Sequence, residues 1–286
     1  MDLWWFTHAS RLYKGVFFAS FLLIAAWETY SPRRILATPT WKRWLMHGFV
    51  DILNNTTIPL VFRVSALAVA FAMSNSPWGV LNRLPLPLAV RVLLTCVLLD
   101  LFLYVNHHAQ HSVPLLWRLH QMHHTDGDVD LSTGLRFHPG DVFLTQAAYL
   151  VVVAVLAPPP IGVLCAELFN LAQAMFSHGN VTLPPRLESM VRLVLVTPEF
   201  HRVHHSINAA EQRSNLGVLF SFWDRLFHTY RHKPEAGEEG LRFGLEEVTA
   251  AQSVQPLTML ALPFAAGPGP NPQHHGILQA DGTQAQ

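Results

Sequence analysis

Two short segments of the chain repeat one arrangement of three histidines. The pattern H-x-x-H-H occurs in "RLHQMHH" (118–124) and again in "FHRVHHS" (200–206), and "NHHAQH" (106–111) adds two histidines at i and i+4. In a helix, residues i, i+3 and i+4 lie on one face, so each H-x-x-H-H is expected to direct three imidazoles one way. His108 lies about 100° around a helix from His107 and is expected to point elsewhere. The grouped histidines are His107, His111, His120, His123, His124, His201, His204 and His205.

This spacing is typical of metal ligands. Eight imidazoles are too many for one tetrahedral zinc ion and fit two metal ions. Imidazole suits iron, zinc, copper and nickel, and a site without thiolates fits iron or zinc. Two metals of variable valence beside a membrane could activate O2 and oxidise a C–H bond of a lipid, a redox step that zinc cannot perform. The alternative, histidines packed without metal, is disfavoured because so many imidazoles would be hard to satisfy and would repel when protonated.

The composition indicates a membrane protein. Of 286 residues, 50% are hydrophobic and only 13% are charged, with a mean hydropathy of +0.25. The formal net charge of +0 offers no basic surface for nucleic acid. Cys96 and Cys165 lie in apolar runs, which predicts buried thiols rather than a disulfide or a thiolate metal site.

Apolar runs predict an all-α integral membrane protein with about four transmembrane helices, including a short helical hairpin. Spans are expected at 12–30, within 47–73, and at 88–106, where the third leads directly into His107. Two shorter apolar runs flank the prolines at 158–160, which break any helix. They are predicted to form the hairpin and to return the chain near His178.

The loop after the first span predicts the orientation. It contains Arg33, Arg34, Lys42 and Arg43, and such basic loops stay in the cytosol. Counting spans from this loop brings every histidine group to the cytosolic side, where a helical cap would hold them as one di-metal site. The segment "LESMVRLVLV" (187–196) has apolar residues at helical spacing and is predicted to lie at the membrane interface.

The segments around the histidines resemble one family. "DLFLYVNHHAQHSVPLLWRLHQMHHTDGDVDLSTGLRFHP" (100–139), "FSHGNVTLPPRLESMVRLVLVTPEFHRVHHS" (176–206) and "SNLGVLFSFWDRLFHTY" (214–230) resemble the fatty acid hydroxylase / sterol desaturase superfamily, whose members are membrane-bound histidine-box di-iron oxidoreductases. The resemblance runs from about Glu28 to Tyr230. It implies two Fe ions bound by the eight grouped histidines and by a ninth, His178 in "FSHGN". For His138 in "RFHPGD", a ligand or a loop-stabilising residue remain alternatives.

Four polar residues are candidates to support the ligands by hydrogen bonds. Asp100 and Tyr104 lie one turn apart near the end of the third span, and Asp126 and Arg136 lie beside the second box. Helix packing and turn formation are their alternative roles. No catalytic residue beyond the metal ligands is predicted. The chain departs from its relatives at His108, where they carry Arg, and at His228, where they carry Gly; neither is an expected ligand.

The resemblance implies an O2-dependent hydroxylase or desaturase acting on an unactivated C–H bond of a membrane lipid or sterol-like substrate. The "R-F-H-P" and "F-x-H-x-N" segments favour the sterol desaturase-like branch. Ether-lipid or carotenoid oxidation by the same type of site, and a non-enzymatic membrane metal-binding or transport protein, remain alternatives. Because the chain carries no flavin, Fe–S or haem motif, the electron donor is expected to be external. A cytochrome b5-like protein, a ferredoxin with its reductase or a reduced pterin would serve, and zinc could replace iron in purified protein.

Two regions are predicted along the chain. Residues 1–232 form the membrane-embedded histidine-box oxidoreductase domain. Residues 233–286 form a polar C-terminal region that becomes rich in Gly, Pro and Gln and is expected to be disordered toward its end. His274 and His275 lie in this tail and are given no role.

Overall fold

The computed structural model describes residues 2–265. The regular elements in that part of the chain are helices, and two isolated β-bridges pair residues between them. The long helices are α1 (Asp2–Tyr30), α2 (Thr40–Phe62), α3 (Ala66–Met73), α4 (Leu88–Ser112), α5 (Pro114–His124), α6 (Pro139–Leu156) and α7 (Pro160–His178). The short helices are α8 (Pro185–Val191), α9 (Pro198–His204), α10 (Ala209–Gln212), α11 (Phe222–Leu226), α12 (Gly237–Gly240), α13 (Ala250–Ser253) and α14 (Pro256–Ala261), with 3₁₀ turns at Leu131–Leu135 and Leu262–Phe264. The predicted all-α class is confirmed.

Five segments of the described chain are long and apolar enough to cross a membrane: Phe6–Tyr30, Thr40–Met73, Leu88–Ser112, Pro139–Leu156 and Pro160–His178. The sequence predicts about four membrane helices, and the last two apolar runs are expected to form one short hairpin. In the structure each arm of that hairpin is itself a candidate span, since α6 has 18 residues and α7 has 19. An integral-membrane architecture with several spans is therefore confirmed, and the number of candidate spans is five.

α7 is the central helix of the bundle and packs against α1, α3 and α4. Gly162 permits the close approach to α4, because a Cβ at this position would lie 2.9 Å from the side chain of Thr95. Leu99, Val153 and Val163 form the apolar core between α4, α6 and α7. This packing brings the C-terminal ends of α4 and α7, which carry histidines, to the same end of the bundle.

The C-terminal region also covers that end. Ile207 donates its backbone N–H to the carbonyl of Arg242 at 2.8 Å. Met259 is fully buried against Met46 of α2 and Met122 of α5. Residues after 232 thus pack onto the domain predicted for 1–232 as far as the structure describes them. The predicted disordered end, with His274 and His275, lies outside the described residues.

Candidate metal centre

The nine histidines expected as ligands lie together in two adjacent groups. In each group, one ring nitrogen from every member lies within 4.8 Å of those of the other members. The five-histidine group comprises His107, His111, His120, His124 and His204. The four-histidine group comprises His123, His178, His201 and His205. All nine side chains are buried.

Each H-x-x-H-H pattern divides between the two groups instead of directing three rings one way. On α5, the first and last histidines join the five-histidine group, and the middle one, His123, joins the four-histidine group. On α9 and its C-cap the assignment is reversed, and His204 is the ring that crosses over. The cause is helix geometry, because residues i and i+4 differ by about 40° around the axis, whereas i+3 and i+4 differ by about 100°. Each pattern therefore links two sites.

The remaining ligands come from the ends of two bundle helices. α4 supplies His107 and His111, one turn apart, to the five-histidine group, and the last residue of α7, His178, completes the four-histidine group. His108 is exposed and its ring contacts Ser112, 3.3 Å away. The expectation that His108 points away from the group is confirmed.

Backbone carbonyls orient four of the rings. The Nδ1–H groups donate over 2.6 to 3.3 Å: His107 to Leu216, His123 to Arg136, His178 to Ala174 and His204 to Ser214. Because a carbonyl only accepts, the proton of each neutral ring resides on Nδ1. Nε2 then keeps its lone pair, which is the arrangement found in metal-binding histidines.

His120 is oriented by a carboxylate. Its Nδ1 lies 2.9 Å from Oδ2 of Asp141, a residue in the first turn of α6 that is only 4% exposed. The other carboxylate oxygen accepts a hydrogen bond from Gln110 of α4. Sequence reasoning missed Asp141, although it stands at the end of "RFHPGD". The 21-residue separation from His120 carries no helical or strand period that would reveal the contact.

The inward nitrogens lack ordinary partners. Within the described residues, five buried nitrogens of the five-histidine group have no hydrogen-bond partner: Nε2 of His111, His120 and His204 and both nitrogens of His124. In the four-histidine group, Nε2 atoms lie 3.0 to 3.2 Å apart along the series His123, His178, His201 and His205. Buried polar atoms without partners are costly. Such convergent lone pairs fit metal ions.

Burial also keeps the rings neutral. Desolvation, reinforced by neighbouring imidazoles, lowers the pKa of His123, His124, His201 and His205 well below the usual histidine value. The same burial lowers the pKa of His204 to about 3. Neutral imidazole is the form that binds metal. The ring centroids of His124 and His205, from different groups, are only 4.7 Å apart, so two metals bound here would be neighbours.

His138 lies outside both groups. Its Nδ1 accepts the backbone N–H of Gly140 at 3.0 Å and so caps α6. Its Nε2 lies 3.2 Å from the carbonyl of Leu260. Both nitrogens are thus used in holding the loop and the C-terminal segment, which agrees with the loop-stabilising alternative.

Asp100 and Tyr104 do not contact the ligands themselves but bind the segment that follows Leu216. Asp100 accepts hydrogen bonds from the backbone N–H groups of Leu219 and Phe220 and from Trp223 Nε1, at 2.8 to 3.1 Å. The Tyr104 hydroxyl lies 2.8 Å from Thr229 Oγ1. Both hold the segment that presents the carbonyl of Leu216 to His107.

Asp126 and Arg136 belong to a buried network behind the four-histidine group. Asp126 pairs with Arg43 of α2 at 2.7 Å, and Arg43 also binds Asp130 at 2.5 Å. The Arg136 side chain donates to the carbonyl of Met122 at 2.8 Å and to His47 at 3.0 Å. The carbonyl of Arg136 is the one that accepts from His123, so this residue touches a candidate ligand directly.

Comparison with known proteins matches this part of the chain. A family model described as fatty acid hydroxylase matches residues 92–229, which include all nine histidines. The chain is similar to the ornithine lipid hydroxylase OlsE of Rhizobium tropici, with 28% identity over 174 residues, covering 60% of this chain and 52% of that protein. It is also similar to the alkylglycerol monooxygenase of Homo sapiens, with 32% identity over 148 residues, covering 51% of this chain and 31% of that protein.

Another relative aligns over a longer region. The fatty acid hydroxylase vlmA of Lecanicillium sp is 29% identical over 213 residues, covering 66% of this chain and 56% of that protein. The match spans about half the length of OlsE and of vlmA and about a third of the alkylglycerol monooxygenase. No solved structure matches the chain.

Proposed function

This chain belongs to the fatty acid hydroxylase superfamily, and from that membership we propose that it is an O2-dependent di-iron oxygenase that hydroxylates an unactivated C–H bond of a membrane lipid. The observation that carries the proposal is the pair of adjacent, buried imidazole groups. A donor set of nine imidazoles without thiolate suits iron. The relatives named as lipid hydroxylases and monooxygenases support an oxidoreductase over a metal carrier.

When bound, two iron ions would supply the redox chemistry by which O2 is reduced and a C–H bond is oxidised. The balance is one C–H and one O2, with two electrons and two protons, giving one alcohol and one water. The histidines would hold the metals with neutral nitrogens whose direction is set by backbone carbonyls and by Asp141. Burial of all nine side chains keeps bulk water from the centre, which favours use of the oxidising equivalents on the substrate.

The substrate class follows from the location of the site. α4, α6 and α7 are candidate spans, and two of them end in ligands, at His111 and His178. A lipid in the bilayer could therefore bring a carbon of its acyl chain to the metals without leaving an apolar environment. A desaturation would use the same first hydrogen abstraction, followed by a second, and it is the alternative outcome on the same substrate class.

Ether-lipid cleavage is a second candidate, favoured by the 32% identity to an alkylglycerol monooxygenase. Hydroxylation of the carbon bonded to an ether oxygen gives a hemiacetal, which breaks into an aldehyde and an alcohol. The chemistry at the metal centre would be the same in both cases. Only the position of the attacked carbon relative to the headgroup would differ.

We propose that the metal centre is on the cytosolic side, because the basic residues at 33–43, in the loop after α1 and the first turn of α2, lie at the same end of the bundle as the histidines. An external donor would deliver the two electrons there. A cytochrome b5-like protein and a ferredoxin with its reductase are the protein donors to test, and a reduced pterin is the small-molecule donor.

The test begins with protein purified in detergent, without added metal and away from oxygen. About two irons per chain are expected. Membrane lipids would then be supplied with a chemical or enzymatic reductant and 18O2, and products read by mass spectrometry. An alcohol carrying one 18O supports hydroxylation, and an aldehyde with a free glycerol lipid supports ether cleavage.

Two results would contradict the proposal. Folded protein that binds no metal would remove its basis. Iron-loaded protein that consumes no O2 above background with any lipid class would favour a metal-binding or transport protein. If zinc alone is found, iron reconstitution precedes the O2 measurement. The matched control is His108→Ala, which lies on α4 between two expected ligands but is exposed and should keep both metals.

A further inference from the structure

A group of exposed apolar side chains lies outside the five candidate spans. They belong to two short segments at the histidine end of the bundle, residues 187–196 and 219–227, here called the apolar collar. The exposed members have 44% to 68% of their surface accessible and are Leu187, Met190, Leu193, Val194, Leu226 and Phe227. Soluble surfaces rarely carry such continuous apolar patches.

The second collar segment packs against the middle of α4. Asp100 accepts the backbone N–H groups of Leu219 and Phe220, and the ring of Phe227 stacks on Tyr104 with centroids 5.3 Å apart. Asp100 lies about 18 Å along α4 from Leu88. A hydrocarbon core of about 30 Å that begins at Leu88 would extend roughly eight residues past Asp100. With the membrane placed in this way, residues 219–227 lie at the depth of the hydrocarbon core.

The first collar segment reaches a similar depth beside α7. Gln173 donates its side-chain N–H to the carbonyl of Val196 at 2.6 Å. Gln173 lies about 7.5 Å inside the α7 terminus at His178. Since α7 spans about 28 Å, its whole length is needed to cross the hydrocarbon core. With the membrane boundary at the end of α7, Val196 also lies within the hydrocarbon core.

Several backbone groups of the collar are hydrogen-bonded within the protein, as a bilayer would require. Val196 N–H donates to the carbonyl of Leu219, and Ser221 N–H to that of Val194, each at 3.0 Å. The carboxylate of Asp100 accepts the N–H groups of Leu219 and Phe220, and the amide of Gln173 donates to the carbonyl of Val196. Non-helical backbone is tolerated at membrane depth only where such partners exist. This gives Asp100, an intramembrane carboxylate, a specific task.

α8 has three distinct faces, as a helix between protein, water and lipid would have. Glu188 is buried and pairs with Arg192 at 2.6 Å. Leu187 and Met190 are exposed and apolar, on a second face. Ser189 lies on the third face and is exposed and polar, as helical spacing of 100° per residue requires.

From this geometry we propose that the apolar collar is re-entrant: residues 187–196 and 219–227 enter the bilayer from the histidine end, and their exposed apolar side chains contact lipid acyl chains. The sequence predicts only that 187–196 lies at the membrane interface. The occupant of this surface is the bilayer itself, because the collar is continuous with the apolar outer faces of α4, where Val105 is 53% exposed. The proposal goes beyond the proposed function and requires neither metal nor turnover.

The first test places single cysteines at Met190 and Leu193, with Ser189 as the adjacent control, in a chain carrying Cys96→Ala and Cys165→Ala. Each is labelled with a nitroxide in phosphatidylcholine nanodiscs, and collision with O2 is compared with collision with a water-soluble nickel chelate. The ratio of O2 to nickel collisions should be several-fold higher at 190 and 193 than at 189. Equal, nickel-accessible labels at all three positions would overturn the proposal.

A second test uses the unmodified chain and so does not depend on variants that fold. The protein is reconstituted with a phospholipid carrying a photoactivatable group in its acyl chain, irradiated and digested. Cross-linked peptides should include 187–196 and 219–227, with far less labelling of α12, whose exposed residues are Glu239 and Gly240. Labelling confined to the five spans would refute the collar. Because both tests read membrane contact alone, their failure is distinguishable from a failure of the proposed oxygenase function.

Discussion

The two histidine groups differ in the hydrogen-bond partners that orient their imidazoles. In the five-histidine group, the outer nitrogen of His120 faces the carboxylate of Asp141. In the four-histidine group, the outer nitrogens that are bonded, those of His123 and His178, donate to backbone carbonyls. A carboxylate makes an imidazole a stronger donor than a neutral carbonyl does. The two metals would therefore have unequal affinities and unequal preferences for the higher valence, although both are held by histidine alone.

The two groups also differ in their number of histidines, five against four. This difference predicts the largest effect of a single substitution on metal content and activity. Replacing His205 with Ala should abolish activity and remove about one iron per chain, because only three imidazoles of its group remain. Replacing His204 should also abolish activity but release less iron, because four imidazoles of its group remain. Iron content by elemental analysis, read beside lipid oxidation, measures both.

The same loss of activity is expected for His120→Ala and His123→Ala, with reduced metal content. Full activity in His123→Ala would contradict the assignment of the four-histidine group. Equal iron loss in the variants at 204 and 205 would contradict the inequality of the two groups. His108→Ala should match the unmodified chain in both measurements.

The next effect concerns the buried network behind the four-histidine group. Arg43 is 1% exposed and neutralises Asp126 and Asp130. Arg43→Leu leaves both carboxylates buried without their cation, which should lower the free energy of unfolding by about 3–5 kcal/mol. Lys42→Leu changes the exposed neighbouring cation and should cost less than about 0.5 kcal/mol. Thermal or denaturant unfolding in detergent would compare the two variants. Similar free energies of unfolding would mean that the ion pairs of Arg43 with Asp126 and Asp130 do not stabilise the fold.

A smaller effect tests the carboxylate behind the five-histidine group. Asp141→Asn keeps the size of the side chain but removes the negative charge that faces His120. Metal affinity of that group should fall about 10- to 100-fold. Cobalt titration against a competing chelator, followed by the visible ligand-field spectrum, reports affinity without turnover.

The matched control for that experiment is Asp128→Asn. Asp128 is also buried, but its carboxylate accepts the backbone N–H groups of Ala37 and Thr38 and contacts no candidate ligand. Its cobalt affinity and spectrum should not change. If Asp141→Asn behaves like this control, the proposed difference between the two groups has no electrostatic origin.

The histidines themselves could be predicted from the sequence because helical spacing groups them within short segments. Their division into two groups could not, since it depends on how the ends of α4, α5, α7 and α9 meet. His178 is predicted as a ligand only through the family resemblance, because no helical spacing links it to the other histidines and tertiary packing brings the end of α7 to them. Local period thus identifies ligands, and long-range packing assigns them to a metal.

The supporting residues were harder to predict for the same reason. Asp141 and Arg43 each act across more than 20 residues of chain, and no local pattern marks such contacts. The sequence marks Asp100 as a candidate because a carboxylate within a span is costly, but no local spacing predicts its partners at 219–223. The C-terminal segment reads as polar and aperiodic, yet Met259 is buried in the core. Single anchoring side chains of this kind leave little trace in composition.

The smallest predicted effect concerns His228, which lies away from both histidine groups. It stands where relatives carry glycine, and its replacement tests whether this histidine affects stability or the metal centre. His228 adopts a left-handed backbone, with φ of 60°, and its side chain is exposed. Glycine removes the steric cost of that conformation, so His228→Gly should stabilise the protein by about 0.5–1 kcal/mol, the penalty being partly offset by the greater freedom of glycine in the unfolded chain.

Asn215 provides the matched comparison, because it has nearly the same backbone, with φ of 55°. Its amide, however, donates to the carbonyls of Phe200 and Arg231 and accepts the N–H of Arg231, all at 2.8 to 2.9 Å. Asn215→Gly should therefore destabilise, by about 1 kcal/mol or more, since buried groups lose their partners. Opposite shifts in melting temperature, with iron content unchanged in His228→Gly, are expected. Loss of iron in His228→Gly would instead mean that this histidine supports the metal centre, and the comparison of the two groups would have to include it.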